Sequence, residues 1–251
     1  MASAAVPLGL LLPPSEGKEH GGDGRPWSAD GGRFSDLQAR RSVLVRRLAR
    51  VRGGNEKLLG IGGKHLAEAR LANVALMAAP SLPAWRRYTG VVWDGLDVGS
   101  LGADAKRRAM SSVVVVSGLL GLVALDDPTP DYRLKIGASL APYGKLSTWW
   151  RPSLAEPLSR WADRRFVVDL LPNDHRAACC AADVDGVTVT FVERNGKAAG
   201  HDAKLAKGRL ARHLLTTRGH PLDALRTWTD ARFDLEITRI SDHPTWQAQH
   251  R

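Results

Sequence analysis

The chain has 251 residues, 43% of them hydrophobic, with 36 Lys and Arg against 26 Asp and Glu and a formal charge of +10. Eight Trp and abundant Leu and Val can supply a core, which excludes a wholly disordered chain. Apolar runs such as 74–79 and 113–116 fall far short of the roughly 20 residues that span a bilayer, so no membrane segment is expected. The basic excess favours polyanionic partners: nucleic acid, nucleotides or anionic lipid.

The first twelve residues lack a basic leader and run straight into Pro13-Pro14, so they read as a first buried strand over 6–12 and the expected compartment is the cytoplasm. Residues 13–34 collect Pro, Gly, Asp and Ser and read as a long loop, of a length that in compact domains usually serves function. A helix follows from Ser35, taken as its N-cap, with Leu37, Leu44, Leu48 and Val51 mostly on one face and several arginines on the other; Gly53-Gly54 ends it. A second helix is expected over 64–77. The segment 91–96, opening with Val-Val-Trp, reads as a strand edge or turn, and 104–111 as a short helix. Four consecutive valines make 113–116 the strongest strand signal. The alternation in 133–137 predicts a half-buried strand, 153–162 a helix, 166–171 and 187–192 strands, 204–216 a basic amphipathic helix, 221–231 a helix, and 232–240 a closing strand. The expected fold class is therefore α/β in the broad, mixed α+β sense.

Four stretches carry residue types suited to anionic ligands. Gly60-Ile61-Gly62-Gly63-Lys64 resembles the turn of a helix-hairpin-helix motif, in which glycines let backbone N–H groups approach a phosphate and Lys64 sits beside it. The small residue expected four places after the second glycine is Leu66 instead. Pro13-Pro14-Ser15-Glu16-Gly17-Lys18 could cradle an anion through Lys18, although it is no Walker A loop, with Leu12 at the first glycine place and Glu19 at the Ser/Thr place. The strand ending at Ser117-Gly118, followed by Tyr132 and Arg133, supplies a stacking ring and a guanidinium. Ser117 lies outside any Gly-x-Ser-x-Gly elbow, which argues against a hydrolase nucleophile. In the basic helix, Lys204, Gly208 and Arg212 form one row, and Gly208 costs about 1 kcal/mol relative to Ala, so either a backbone or an anion needs the space. Each stretch also has a plainer reading: an ordinary turn, a solvated loop lysine, a salt-bridged strand and a solvated helix face. His175 and Cys179 have zinc-ligand spacing but no second pair, so neither metal nor cofactor is expected. Asp126, Asp127 and Asp131 fall in a Pro-rich loop where turn and capping roles prevail.

Taken in order, these segments resemble the bacterial YaaA family of peroxide-stress proteins over about residues 8–240. The matching stretches are the Pro-Pro-Ser-Glu-Gly-Lys opening, Tyr88 to Leu96, Ser117 to Leu122 followed by Tyr132 to Gly137, Asp169 to Asp174, and Lys204 to Arg212. Leu120 replaces a tyrosine of that pattern, Val123-Ala124-Leu125 stands where the pattern has Leu-Arg-Pro, and Leu205 and Lys207 replace Lys and Arg. The resemblance implies one YaaA-like domain over 1–251, a helix-hairpin-helix-like element over 35–78, a positively charged cleft, and DNA binding that limits oxidative damage. The expected phosphate-binding set is Lys18, Gly60, Gly62, Lys64, Tyr132, Arg133, Lys204, Lys207 and Arg212, gripping duplex or branched DNA without reading its sequence. The alternative is an enzyme acting on a nucleotide or nucleoside phosphate in the same cleft, by N-glycosidic cleavage or transfer, with Asp94 and Ser117 as catalytic candidates.

Overall fold

In a computed structural model of the chain, the structure describes residues 6–179, 184–194 and 203–242. The elements are β1 (Leu8–Leu12), α1 (Gln38–Arg50), α2 (Glu56–Leu59), α3 (Gly63–Val74), β2 (Leu82–Pro83), α4 (Ala84–Arg87), α5 (Val91–Leu96), α6 (Ala103–Ser112), β3 (Val113–Ser117), β4 (Gly121–Ala124), β5 (Pro128–Thr129), β6 (Ser139–Leu140), β7 (Gly144–Lys145), α7 (Leu146–Ala162), β8 (Phe166–Asp169), α8 (Asn173–Arg176), β9 (Gly186–Glu193), α9 (Ala203–Thr216), α10 (Pro221–Thr227) and β10 (Phe233–Arg239). The fold is mixed α/β. Six strands form one sheet in the order β10-β9-β8-β1-β3-β4. The four inner strands are parallel, and antiparallel β4 and β10 close the two edges.

Burial explains the pattern. β1, β3 and β8 are buried along their whole length, as parallel strands covered on both faces are, so they read as continuous apolar runs rather than as alternation. α6 packs on β1, α7 on β4, and α9 on α5, α6 and α10. The chain leaves central β1 for β3 on one side and later returns to β8 on the other. The loops after β1, β3 and β8 therefore meet where the strand order reverses, the usual ligand position in such sheets.

Several local expectations change in three dimensions. Segment 91–96 is helix α5, not strand edge: its Gly95 lies against Gly208 of α9, and a Cβ on Gly208 would sit 2.1 Å from the Val92 carbonyl oxygen. That backbone-to-backbone crossing overrides the strand preference of Val91 and Val92. It also settles what needs the space at Gly208, namely α5. Segment 133–137 joins no ladder, although its alternation survives, with Tyr132, Leu134 and Ile136 inward. Gly118 is responsible, because its missing side chain lets the Leu134–Ile136 backbone pass directly over it. The strand expected to stop at Ser117 turns into the hairpin β3–β4, paired Ser117 to Gly121. Helix α7 begins at Leu146, seven residues before the expected start, and contains Pro152 and Pro157. Burial of Trp150, Leu154, Leu158 and Trp161 along one face outweighs the hydrogen bonds those prolines remove. Ser35 opens a 3-10 turn, and the cap position of α1 is Leu37.

Candidate functional site

Four segments converge beyond the carboxyl ends of the parallel strands. The loop after β1 brings Ser15, Glu16 and Lys18 and is tied down along 87–89. Ser15 Oγ accepts from Thr89 N at 3.0 Å, Glu19 N donates to the Arg87 carbonyl at 2.9 Å, and Lys18 pairs with Tyr88 as an isolated β-bridge. Arg87 is fully buried and donates to the carbonyls of Thr129, Gly21, Pro80 and Glu19, which holds the long loop against the hairpin region. The segment after β5 brings Tyr132, Arg133 and Lys135. The loop after β8 brings Asn173, Asp174 and His175, and the turn between α2 and α3 brings Gly60. Together they line a cleft of about 640 Å³, within the size range of small-ligand sites.

The floor is a hydroxyl chain. Ser117 Oγ lies 2.7 Å from Tyr132 Oη, which lies 3.0 Å from Tyr88 Oη. Burial pushes the Tyr132 phenol up to about 12 and the Tyr88 phenol well above its ordinary value, so both stay protonated. Lys18 Nζ rests 4.1 Å from the Tyr132 ring centroid and 5.6 Å from that of Tyr88, and donates to the Ser15 carbonyl at 2.9 Å. Burial, reinforced by Arg133 and Arg87 and opposed by Asp131 and Glu16, lowers this ammonium to about 7. Lys18 thus divides between amine and ammonium near neutral pH.

Across the mouth, Glu16 accepts from Arg133 Nη2 at 3.0 Å and from Lys135 Nζ at 2.9 Å, while Arg133 Nη1 donates to the Glu16 carbonyl at 2.8 Å. Burial would raise the Glu16 carboxyl, but Lys135, Arg133 and Lys204 hold it below its ordinary value, so it is ionised. The β8 loop is set by a buried pair: Arg176 Nε donates to Asp169 Oδ2 at 2.6 Å and Arg176 Nη2 to the Leu171 carbonyl at 2.7 Å. His175 then faces the cleft with its buried Nδ1 unpartnered, and burial with Lys207 nearby lowers it to about 4. A second hollow of about 410 Å³ adjoins the first across Ser15 and Glu16 and is lined by Thr89, Trp93, Lys204 and Lys207 among others.

The residues anticipated from sequence distribute unevenly over this geometry. Lys18, Tyr132, Arg133 and Gly60 line the main cleft. Gly62 is the N-cap position of α3, close to the Glu56 carboxylate, and Lys64 is exposed in the first turn of α3 outside the lining. Lys204 reaches the adjoining hollow. Lys207 donates to the Leu170 carbonyl at 2.6 Å, and burial lowers it to about 8; Arg212 donates to the carbonyls of Leu96 and Asp97 at 3.0 and 2.7 Å. Asp94 is exposed on α5 and lines neither hollow, whereas Ser117 is fully buried in the hydroxyl chain. Asp127 accepts from Arg33 N and Ala124 N, each at 2.8 Å, the turn role expected of it. Cys179 is buried, and Cys180 lies outside the described residues. Reasoning from sequence passed over Glu16, Tyr88, Lys135 and His175 as site residues. Lys135 was within reach, because alternation that turns Arg133 outward does the same two residues later.

Comparison with known proteins supplies the kinship. Residues 8–238 match the family described as peroxide stress protein YaaA. The chain belongs to the YaaA family. It is 37% identical over 221 residues to a UPF0246 protein of Streptomyces coelicolor, covering 84% of each chain. It is 35% identical over 212 residues to a UPF0246 protein of Corynebacterium glutamicum, covering 82% of this chain and 84% of that one. The match takes in all four segments that build the YaaA-type cleft described above. No helix among the described residues is long and apolar enough to cross a membrane.

Proposed function

We propose that this YaaA-family chain is a cytoplasmic protein that binds duplex or branched DNA through its sugar–phosphate backbone and limits oxidative damage. One observation carries the reading: the glycine turn between α2 and α3 forms a wall of the same cleft that holds Lys18, Lys57, Arg133 and Lys135. Gly60 adopts a left-handed conformation with φ 64°, and the Lys135 ammonium would lie 3.3 Å from a Cβ placed there, so a cation flanks an open backbone turn. The twelve-residue α3 starts two residues later and directs its unpaired N–H groups and positive dipole end outward, with Lys64 in its first turn. This is the arrangement of a helix-hairpin-helix turn, in which backbone amides and cations meet phosphate oxygens without reading bases. Four cationic side chains against Glu16 and Asp174 give the cleft its positive balance. Lys204, from the adjoining hollow, extends the cationic edge.

The test is a fluorescence-polarisation titration with duplex and four-way-junction DNA at two salt concentrations. Binding should weaken by about 0.9 log units per decade of salt for each phosphate contact. Lys64→Glu and the double variant Arg133→Ala/Lys135→Ala should each weaken it. Absence of binding at low salt, or affinity unchanged in both variants, overturns the reading. A second reading, an enzyme acting on a nucleotide or nucleoside phosphate, draws on the enclosed volume and on the near-neutral lysine at its floor. It would place the chemistry at Lys18 rather than at exposed Asp94 or buried Ser117.

A further inference from the structure

The cleft floor holds a lysine in a setting that a phosphate-binding role does not require. A lysine that only grips phosphate works best as a solvated or ion-paired ammonium. Lys18 has neither circumstance. Its only printed side-chain hydrogen bond is to the Ser15 carbonyl, and no carboxylate lies within ion-pair distance of it among the described residues. Asp131, the nearest acidic influence besides Glu16, is engaged by His20 at 2.8 Å, and the Glu16 carboxylate is held by Arg133 and Lys135. Tyr132 and Tyr88 shield the amine on the ring side, yet Lys18 lines two hollows that open on opposite sides of the Glu16–Arg133 bridge. The amine is thus desolvated on one side and reachable on the other, the circumstance that activates a lysine as a nucleophile.

We propose that Lys18 forms an imine with the aldehyde carbon of a phosphorylated pentose, whose phosphate displaces the Glu16 carboxylate from Arg133 and Lys135. The Nζ lone pair forms the new bond to the aldehyde carbon, and the carbonyl electron pair moves to oxygen, which takes up a proton to give a carbinolamine. Loss of that oxygen as water leaves the carbon–nitrogen double bond, and hydrolysis reverses every step. The hydroxyl groups of Tyr132, Tyr88 and Ser117 form the adjoining proton-carrying chain. Glu16 is the internal stand-in for the phosphate: a carboxylate that already accepts from the two cations an incoming phosphate would meet. Such an aldehyde reaches the cleft in one of two forms, as an abasic position in a DNA strand or as a free sugar phosphate.

The DNA form rests on the function proposed above, and the experiment separates the two ideas. The full chain is incubated with duplex DNA carrying one abasic position, or with ribose 5-phosphate alone, and borohydride is added to reduce any imine to a stable amine. A covalent adduct is expected, mapped to Lys18 by peptide mass spectrometry, abolished in Lys18→Met, and rising with pH through about 7 as the amine is freed. Asp131, Glu16, Arg133 and Arg87 are the charges that tune this midpoint. Mapping on the wild-type chain keeps the test decisive if the variant folds poorly. An adduct with ribose 5-phosphate but no binding to any DNA retains the amine site and discards the DNA reading. Intact DNA binding with no adduct from either probe, or an adduct mapped elsewhere, overturns the imine and leaves the DNA reading standing.

Discussion

Two groups of cations in this protein look alike in sequence and do opposite things in space. Arg41, Arg87, Arg176, Lys207 and Arg212 point into the fold and donate to backbone carbonyls. Arg41 alone reaches those of Leu120, Leu122, Ala29 and Gly31 at 2.9 to 3.2 Å. Lys18, Arg133 and Lys135 gather at one cleft, where Glu16 is the counter-charge of the last two. A guanidinium committed to several carbonyls has no donors left for a phosphate and acts as a cross-link between loops. One paired with a loop carboxylate can exchange that partner for an anion from outside. The formal charge of +10 therefore overstates the surface available to a polyanion.

The contrast can be broken first where it is strongest. Asp169→Ala strips the buried Arg176 of its carboxylate, and urea unfolding should show a loss of about 3–5 kcal/mol. Gly208→Ala comes next: the new methyl must push α5 away from α9, with an expected cost of about 1–3 kcal/mol by the same measurement. Arg212→Ala and Arg133→Ala/Lys135→Ala then separate the two groups directly. The first should lower the melting temperature and leave the salt slope of DNA binding intact. The second should leave melting nearly unchanged and reduce the slope by about 0.9 per lost contact.

The pH dependence gives a finer test. Lys18 titrates near 7 in the fold and near its ordinary 10.5 when unfolded, so between those values the unfolded chain holds the extra proton. Stability should rise with pH across that window, and Lys18→Met should flatten the rise. Lys207, lowered to about 8, contributes the same sign from there upward, so some slope should remain in the variant. The smallest effect is expected for Asp94→Asn, an exposed change predicted to move stability by no more than about 0.5 kcal/mol and to leave DNA affinity unchanged.

How much of this was readable in advance depends on whether a feature is local. The strands β1, β3, β8 and β9 and the helices α1, α6 and α9 announce themselves through apolar runs and helical periodicity, because burial of a strand or helix face is written in consecutive residues. Helix α5 and the early start of α7 do not, since each relies on a distant surface, α9 for one and the β4 edge of the sheet for the other. The site divides similarly. Tyr132 and Arg133 were visible because they alternate with core residues. Lys207 and Arg212 had the same apparent credentials, but the carbonyls that engage them, at Leu170, Leu96 and Asp97, lie 37 to 116 residues away.

Composition and pattern by themselves determined the fold class, the basic excess, the glycine turn at Gly60 and the family kinship, because each is a property of residue types in order. Tertiary structure decided which cations remain available, that Ser117 is a buried link and not a nucleophile, and that Lys18 stands beside two tyrosines with a weakened hold on its proton. The physical reason is the same throughout. A charge or hydroxyl acquires its chemistry from what surrounds it, and here the loops after β1, β3 and β8 bring those surroundings from opposite ends of the chain.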